Sequence, residues 1–189
     1  MKKSLKTIQK EQSKVRILNV ASRLFKKQGF NATGIDQLMA EAGLTAGAFY
    51  AHFKSKEDLF EKSLEHALSA SRILLFKETE HLHGPQKTEA VLKRYCSVGH
   101  RDLPDRGCVL PALASEIYRG TTRTNKIVAT YIEKWAKAIC ENLDESMNDS
   151  EKRQLALQLI SRSVGAVLLS RIVNETELSE QILLAAQAL

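Results

Sequence analysis

The sequence predicts an all-α protein, and three observations lead to this prediction. Apolar residues recur at the i, i+3, i+4, i+7 spacing of one helix face along much of the chain. Only 3 prolines and 9 glycines occur in 189 residues, too few for the turns of a many-stranded β fold. Polar capping residues and glycines stand at the ends of several apolar stripes. We expect an N-terminal three-helix helix-turn-helix domain followed by a larger helical bundle.

Two helices are predicted at the start of the chain. The first spans residues 15–28, where one face is apolar and the other carries arginine and lysine, and Gly29 ends it. The second, over residues 35–42, covers barely two turns and has Thr33 before it as a cap candidate. The spacing therefore predicts one ordinary helix followed by a very short one.

A tight turn and another short helix follow. Gly43 marks the turn, and Thr45 is the expected N-cap of a helix that continues to about Ala51. Two short helices joined by a glycine-containing turn are typical of a helix-turn-helix motif, whose second helix enters the major groove of DNA. Phe49 and Phe53 are expected to anchor this second helix on the core.

A long helix is predicted to start at Lys56, because Ser55 and Asp58 have the spacing of a capping box. Its apolar positions, which include Leu74 and Leu75, continue to about His81, and Gly84-Pro85 is expected to break it. Further helices are predicted over residues 88–100, 110–118, 122–142, 155–173 and 182–189.

The positive charge lies in the first third of the chain. Residues 1–62 hold 12 Lys and Arg against 6 Asp and Glu, whereas residues 63–189 hold 16 of each. Such a division suggests that the first part meets a polyanion, although lysine-rich helix faces also serve solubility alone. Lysines at positions 2, 3, 6, 10 and 14 form either an arm that reaches DNA or a frayed basic terminus.

Residues 155–173 carry apolar side chains on two faces of the predicted helix. A helix buried on two sides needs two partners. The final stripe at 182–189 supplies part of one partner, so a second copy of the chain is expected to cover the rest. The sequence therefore predicts a homodimer formed through its C-terminal helices.

A set of distinctive residues occurs at fixed offsets around the predicted turn and short helix: Gly43, Thr45, Gly47, Phe49-Tyr50, His52-Phe53 and Ser55-Lys56. They form a pattern of a turn glycine, a Ser/Thr cap, a glycine, an aromatic-Tyr pair, His-Phe and Ser-Lys. With this pattern, residues 14–68 resemble the N-terminal domain of the tetracycline-repressor (TetR) family. Two positions depart from the pattern: Ala46 stands where a longer polar side chain is common, and Met39 where a small one is.

The resemblance implies a homodimeric repressor that binds an inverted-repeat operator in double-stranded DNA and is released by a small-molecule effector. It places the DNA-binding domain at residues 1–55 and the effector-binding and dimerisation domain at residues 56–189. Expected phosphate contacts are Thr33, Thr45, Tyr50, His52 and Lys56. The residues expected to approach the bases are Gln37, Ala46, Gly47 and Tyr50.

Candidate effector contacts lie in the second domain. An apolar pocket with polar tips is expected from Tyr95, His100, Tyr118, Tyr131 and Trp135. Cys108 follows Gly107 at a predicted helix start with arginines near it in sequence, a setting that lowers a thiol pKa and suits an electrophile sensor. Free cysteine is also among the residue types most often buried, and a core residue is the interpretation of Cys108 that we favour. The Gly-Cys pair itself resembles a branch of the TetR family.

Several other classes of function find little support in the sequence. No Cys-x-x-Cys or His-Glu-x-x-His spacing indicates a metal, no cofactor motif occurs, and no set of Glu-x-x-His pairs on facing helices suggests a helical-bundle enzyme. A non-specific nucleic-acid binder stays an alternative. No secretory signal or bilayer-length apolar run is apparent, so we expect a cytoplasmic protein without a membrane span.

Overall fold

Ten α-helices and no strand make up the part of the chain that the structure describes. The structure is a computed structural model that describes residues 4–77, 79–173 and 176–189, with the side chains of all of these except residues 72–75. The all-α prediction is confirmed. In chain order the helices are α1 (Leu5–Ala32), α2 (Ile35–Glu41), α3 (Ala46–Phe49), α4 (Lys56–Lys77), α5 (Gly84–Tyr95), α6 (Val98–Asp102), α7 (Val109–Tyr118), α8 (Thr122–Cys140), α9 (Asp149–Ile172) and α10 (Glu177–Ala185).

Aromatic side chains hold the first four helices together. The Phe60 ring of α4 packs edge-on against Phe25 and Phe30 of α1, with ring centroids 5.3 Å and 5.2 Å apart. Phe49 and Phe53 are 0% and 2% exposed, which confirms that they anchor the short helix α3. The predicted core of the N-terminal domain is therefore present.

The N-terminal helix begins earlier than predicted. α1 starts at Leu5, because the Ser4 hydroxyl accepts a hydrogen bond from the Thr7 N–H and caps it. The basic terminus is therefore helical from Leu5 onward rather than frayed, while the lysines at positions 2 and 3 lie outside the described residues. Gly29 interrupts the regular helix, as its φ of 83° and ψ of 168° show.

The region after α4 differs from the prediction in two ways. α4 ends at Lys77 rather than near residue 81, and its predicted core residues 74 and 75 lie outside the described side chains. Gly84-Pro85 does not break α4 but opens α5, since proline fits the first turn of a helix, where no N–H partner is needed. The single helix predicted over residues 88–100 is split, because Ser97 caps a separate helix, α6.

Helix α9 is the central helix of the second domain. It packs against α8, α10, α7, α6 and α5, and its core side includes Leu159, Ile160 and Val167. By length and mean hydropathy α9 is long and apolar enough to cross a membrane. Its contacts with five other helices are those of a core helix in a helical bundle.

Candidate nucleic-acid interface and ligand cavity

A tight turn sets the position of α3 relative to α2. Gly43 adopts a φ of 65°, a left-handed conformation that glycine reaches without strain. The Leu44 N–H donates to Met39 O at 2.9 Å and closes the turn. Thr45 is the N-cap of α3, as predicted, but α3 ends at Phe49 instead of continuing to about residue 51.

The outer side of α3, here called the α3 face, consists of Thr45, Ala46, Gly47 and Tyr50. All four residues are exposed, and Tyr50 is 71% exposed. The Tyr50 ring packs edge-on against the buried ring of Phe49, with ring centroids 5.2 Å apart. This contact orients the Tyr50 side chain, most of which is in solvent. Gln37 of α2 is also exposed and accepts a hydrogen bond from Gln28.

The small size of Gly47 is not required by the protein's own packing. A Cβ placed on Gly47 would have no heavy atom within 4 Å among the described residues, and its φ is not positive. Both usual internal reasons for glycine, a left-handed backbone and a close neighbour, are therefore absent at this position. The α3 face is open enough for a partner to approach the backbone itself.

Thr33 does not belong to this surface, which corrects two predictions. Its side chain is 0% exposed, and its hydroxyl donates to Gly29 O at 2.8 Å. The N-cap of α2 is Gly34 rather than Thr33. The Thr33 hydroxyl stabilises the break at Gly29 and cannot reach a phosphate.

His52 is directed toward α1. Ser13 Oγ donates to Lys10 O at 3.0 Å, so the same oxygen accepts from His52 Nε2–H, also at 3.0 Å. Burial lowers the pKa of His52, and the nearby Lys10 and Lys14 ammonium groups lower it further. His52 is therefore neutral at pH 7 and carries no charge for a phosphate.

Lys56 also turns toward α1. Its Nζ lies 4.4 Å from the centre of the Phe30 ring and 3.4 Å from Asn31 O. Partial burial lowers the pKa of Lys56. Phosphate contacts from His52 and Lys56 stay predictions, and either would need its side chain to turn from α1.

Exposed lysines of α1 lie close to the end of α3. A shallow surface cleft is lined by Lys10, Lys14, Ala51 and His52, among other residues. Lys6, Lys10 and Lys14 are all exposed. The basic start of α1 therefore lies close to the end of α3 and adds positive charge beside the α3 face.

A cavity of about 360 Å³ lies among α4, α5, α6, α8 and the segment that leads into α7, and is here called the α5–α7 cavity. It brings together four predicted effector contacts, Tyr95, His100, Cys108 and Tyr131. Trp135 lies behind the wall, 1% exposed, with its ring 5.1 Å from that of Tyr95. Tyr118 is apart from them, because it ends α7 with its side chain 84% exposed.

His100 fixes the wall of this cavity. Its Nε2 accepts from the Cys108 N–H at 2.9 Å, and its Nδ1–H donates to Tyr95 O at 2.6 Å. Both ring nitrogens are thus occupied in the neutral form, and burial lowers the pKa of His100. A Cβ on Gly107 would lie 2.4 Å from His100 Cδ2. Gly107 is therefore needed for the ring to pack here, which explains the glycine of the Gly107-Cys108 pair.

Of the two interpretations of Cys108, the buried core residue agrees with the structure, whereas the lowered thiol pKa that the sensor interpretation assumes does not. Burial raises the pKa of the Cys108 thiol, although the neighbouring Tyr95 hydroxyl and the charges of Lys26 and Arg171 act in the opposite direction. Cys108 is the N-cap of α7 and 3% exposed. Its environment is that of a buried thiol that lines a cavity.

The segment 97–107 around α6 is hydrogen-bonded to three other parts of the molecule. Lys26 Nζ of α1 donates to Gly107 O at 3.0 Å. Arg171 of α9 donates to Arg101 O at 3.0 Å and to His100 O at 2.8 Å. The Arg101 side chain donates to Ser179 Oγ of α10 at 2.9 Å. This segment therefore connects the cavity to α1 on one side and to α9 and α10 on the other.

Lys26 and Arg171 were not singled out by the sequence. Their partners in segment 97–107 are 81 and 70 or 71 residues away along the chain. Lys26 falls on the polar face of a predicted helix, and Arg171 at the end of an apolar run. Neither position has a local pattern that marks a tertiary contact.

Large apolar side chains are exposed on the outer side of α9 and α10. They are here called the α9–α10 face and are Leu157, Leu169, Ile172, Leu178, Leu184 and Leu189. On α9, positions 157, 169 and 172 fall on one side of the helix, with small and polar residues such as Gly165 and Ser161 between them. Groups of exposed apolar side chains are typical of surfaces that another protein chain covers.

Family models match most of the chain. Residues 17–62 match the model described as bacterial regulatory proteins of the tetR family. Residues 84–186 match the model of a tetracyclin repressor-like C-terminal domain. The first match includes α2, α3 and the α3 face, and the second includes most of the residues around the cavity.

Relatives and solved structures agree with these matches. YerO of Bacillus subtilis, an uncharacterized HTH-type transcriptional regulator, is 36% identical over 105 residues, which are 56% of this chain and 36% of that protein. AcrR of Shigella flexneri, also an HTH-type transcriptional regulator, is 46% identical over 63 residues, 33% of this chain and 28% of that protein. The chain thus spans about a third of the length of these two relatives. The reduced form of E. coli NemR has a TM-score of 0.77 at 19% identity and covers 93% of this chain and 95% of its own.

A second solved structure, a TetR-family regulator from Cytophaga hutchinsonii, gives a TM-score of 0.79 at 16% identity and covers 99% of this chain and 95% of its own. Similarity at such low identity shows a common fold. The two family models together extend from residue 17 to residue 186, and the second alone matches more than half of the chain. The chain therefore belongs to the TetR family of bacterial regulatory proteins.

Proposed function

We propose that this chain is a transcriptional repressor that binds an inverted-repeat operator in double-stranded DNA as a homodimer. A small molecule in the α5–α7 cavity weakens that binding, and the protein acts in the cytoplasm. The observation that carries the proposal is the exposed α3 face, where no described neighbour and no positive φ requires position 47 to be glycine. Residues 1–55 form the DNA-binding domain, and residues 56–189 bind effector and partner subunit.

The α3 face suits the major groove of DNA. That groove is about 12 Å wide and admits an α-helix. Ala46 and Gly47 allow the backbone to come close to base edges, while the exposed Tyr50 reaches a phosphate or a base. Lys10 and Lys14 lie beside α3 and add phosphate contacts that position the domain without reading sequence.

Segment 97–107 couples the cavity to the DNA-binding domain. Its Gly107 carbonyl is bonded to Lys26 of α1, and the adjacent Cys108 and His100 line the cavity. A ligand that favours one position of this segment therefore changes the position of α1 and of the α3 face with it. By linkage, effector and operator weaken each other's binding by the same factor.

Tyr50→Ala tests the DNA-binding role directly. We expect about a tenfold loss of operator affinity, since one lost phosphate or base contact costs about 1–3 kcal/mol. The operator is obtained by selection from random duplexes, and affinity is measured by fluorescence anisotropy. Tyr118→Ala is the matched control, because Tyr118 is equally exposed but ends α7.

Two results would contradict the proposal. One is unchanged operator affinity in the Tyr50→Ala protein. The other is a selection that enriches no inverted repeat, together with affinity that falls steeply with salt and is the same for every duplex. That second pattern belongs to a non-specific nucleic-acid binder.

Covalent release is a second candidate mechanism, because Cys108 lines the cavity and faces Lys26 and Arg171. The resemblance of the Gly107-Cys108 pair to a branch of the family motivates the same idea. In that mechanism N-ethylmaleimide releases the wild-type protein from its operator, whereas Cys108→Ser binds the operator normally and is not released. Cys140→Ser is the control, since Cys140 is more accessible than Cys108 and lies outside this cavity. Equal release of the Cys108→Ser protein would exclude Cys108 as the sensor.

A further inference from the structure

A buried hydrogen-bond donor lines the α5–α7 cavity without a strong acceptor. Tyr95 is 3% exposed, and among the described residues its hydroxyl meets only the Cys108 thiol, which is a weak acceptor. Behind the wall, Arg171 Nη1 is a second buried donor without a partner in the described part of the chain, while the other guanidinium nitrogens of Arg171 hold the carbonyls of His100 and Arg101. A poorly paired buried donor is costly, so the Tyr95 hydroxyl favours a ligand that brings acceptor oxygens.

Positive charges predominate around the cavity. Arg94 and Arg106 line it, and none of the described residues that line it is an aspartate or a glutamate. Lys26 and Arg171 face Cys108 from behind the wall. The nearby carboxylates are fewer: Asp102 is bound to the Arg101 guanidinium at 2.6 Å, and Asp105 faces Lys26. The local field therefore attracts an anion.

Aromatic and apolar side chains form the rest of the wall. The rings of Tyr95 and Tyr131 and the side chain of Leu103 line the cavity, and its volume of about 360 Å³ fits a small molecule rather than a long chain. Ring surfaces favour a flat apolar body by stacking. The cavity thus combines an apolar wall with donors and positive charge.

We infer that the α5–α7 cavity binds a small aromatic carboxylate. The carboxylate oxygens accept from the Tyr95 hydroxyl and pair with Arg106, and the ring of the ligand lies against Tyr131 and Leu103. This inference rests on the proposed function, because it assigns a ligand class to the cavity proposed to control operator binding. It adds a preference for anionic over neutral ligands of the same shape.

Three pairs of probes test the charge preference in the full-length protein: benzoate and benzamide, salicylate and salicylamide, cinnamate and cinnamamide. Each pair shares a ring and differs in the charge of the head group. Trp135 is the single tryptophan and lies 5.1 Å and 5.9 Å from the rings of Tyr95 and Tyr131, so its fluorescence reports binding, with thermal shift in parallel. We expect the carboxylate of at least one pair to bind about tenfold more tightly than its amide, as charge-assisted hydrogen bonds do.

Two variants locate the binding groups. Arg106→Gln is expected to reduce carboxylate affinity about tenfold and leave amide affinity unchanged. Tyr95→Phe is expected to weaken both ligands of a pair, because an amide oxygen also accepts from the Tyr95 hydroxyl. Arg119→Gln is the control, because Arg119 is exposed and does not line this cavity. Equal binding of every carboxylate and its amide, no binding of any probe at millimolar concentration, or an undiminished preference in the Arg106→Gln protein would overturn the inference.

These measurements are made without DNA, so they separate the inference from the proposed function. If the protein prefers carboxylates but binds no inverted repeat, the ligand class is supported and the repressor role is contradicted. If the protein binds an inverted repeat, Tyr50→Ala weakens that binding, and no charge preference is found, the repressor role is supported and the ligand class is contradicted.

Discussion

Ala46→Glu is expected to lower operator affinity about a hundredfold, because it places a carboxylate where α3 approaches the phosphates and base edges. Like charges brought together at an interface cost several kcal/mol. Ala46 is the first residue of α3 and is exposed, so the longer side chain extends into solvent in the free protein. Folding is therefore expected to be unchanged, as circular dichroism and the melting temperature will show.

Ala129→Glu is the matched control for this variant. Ala129 is an exposed residue of α8, and its substitution changes the net charge by the same amount. Anisotropy titrations of both variants at several salt concentrations separate a local effect from a general one, since a general charge effect weakens both proteins alike. Equal losses in the two variants would show that the α3 face does not contact DNA.

The α3 face could be predicted because local residue types determine it. Glycine at 43 and a threonine cap at 45 fix the turn and the helix start, and buried Phe49 fixes which side faces outward. Each of these features depends on residues close together in the sequence. The same reasoning failed for Thr33, because a hydroxyl suited to capping α2 bonds instead to Gly29 O in the preceding turn.

The cavity could be predicted only in part. Aromatic and polar residues of the predicted helices suggested Tyr95, His100 and Tyr131, which do line the cavity. The sequence does not show that the side chain of Tyr118, at the end of α7, lies in solvent. For Cys108 the sequence left two interpretations open. Its neighbours in sequence are arginines, which would lower the thiol pKa, but tertiary packing buries the thiol and raises its pKa, in line with the core interpretation. The break between α5 and α6 was not predicted. Ser97 follows directly on an apolar stripe, so its role as the N-cap of a separate helix was not apparent.

The α9–α10 face leads to the second large expected effect, loss of the dimer. Leu169 and Leu184 are 52% and 64% exposed in a single chain, and neither has an internal reason to be apolar. Glutamate at both positions leaves the fold of one chain unchanged but places four carboxylates in the proposed interface of two chains. An unpaired ion buried at an interface costs several kcal/mol. We expect the double variant to sediment as a monomer at micromolar concentration.

Loss of the dimer also lowers operator affinity. Two joined DNA-binding domains bind two half-sites with a high effective concentration for the second contact, and a monomer loses this advantage. We expect operator affinity to fall about a hundredfold or more, while binding to an isolated half-site is unchanged. Val98→Glu, 44% exposed on α6, is the control for introducing glutamate at an exposed apolar position. If the double variant remains dimeric, the subunits meet elsewhere; if the wild type is monomeric when bound to its operator, the homodimer proposal fails.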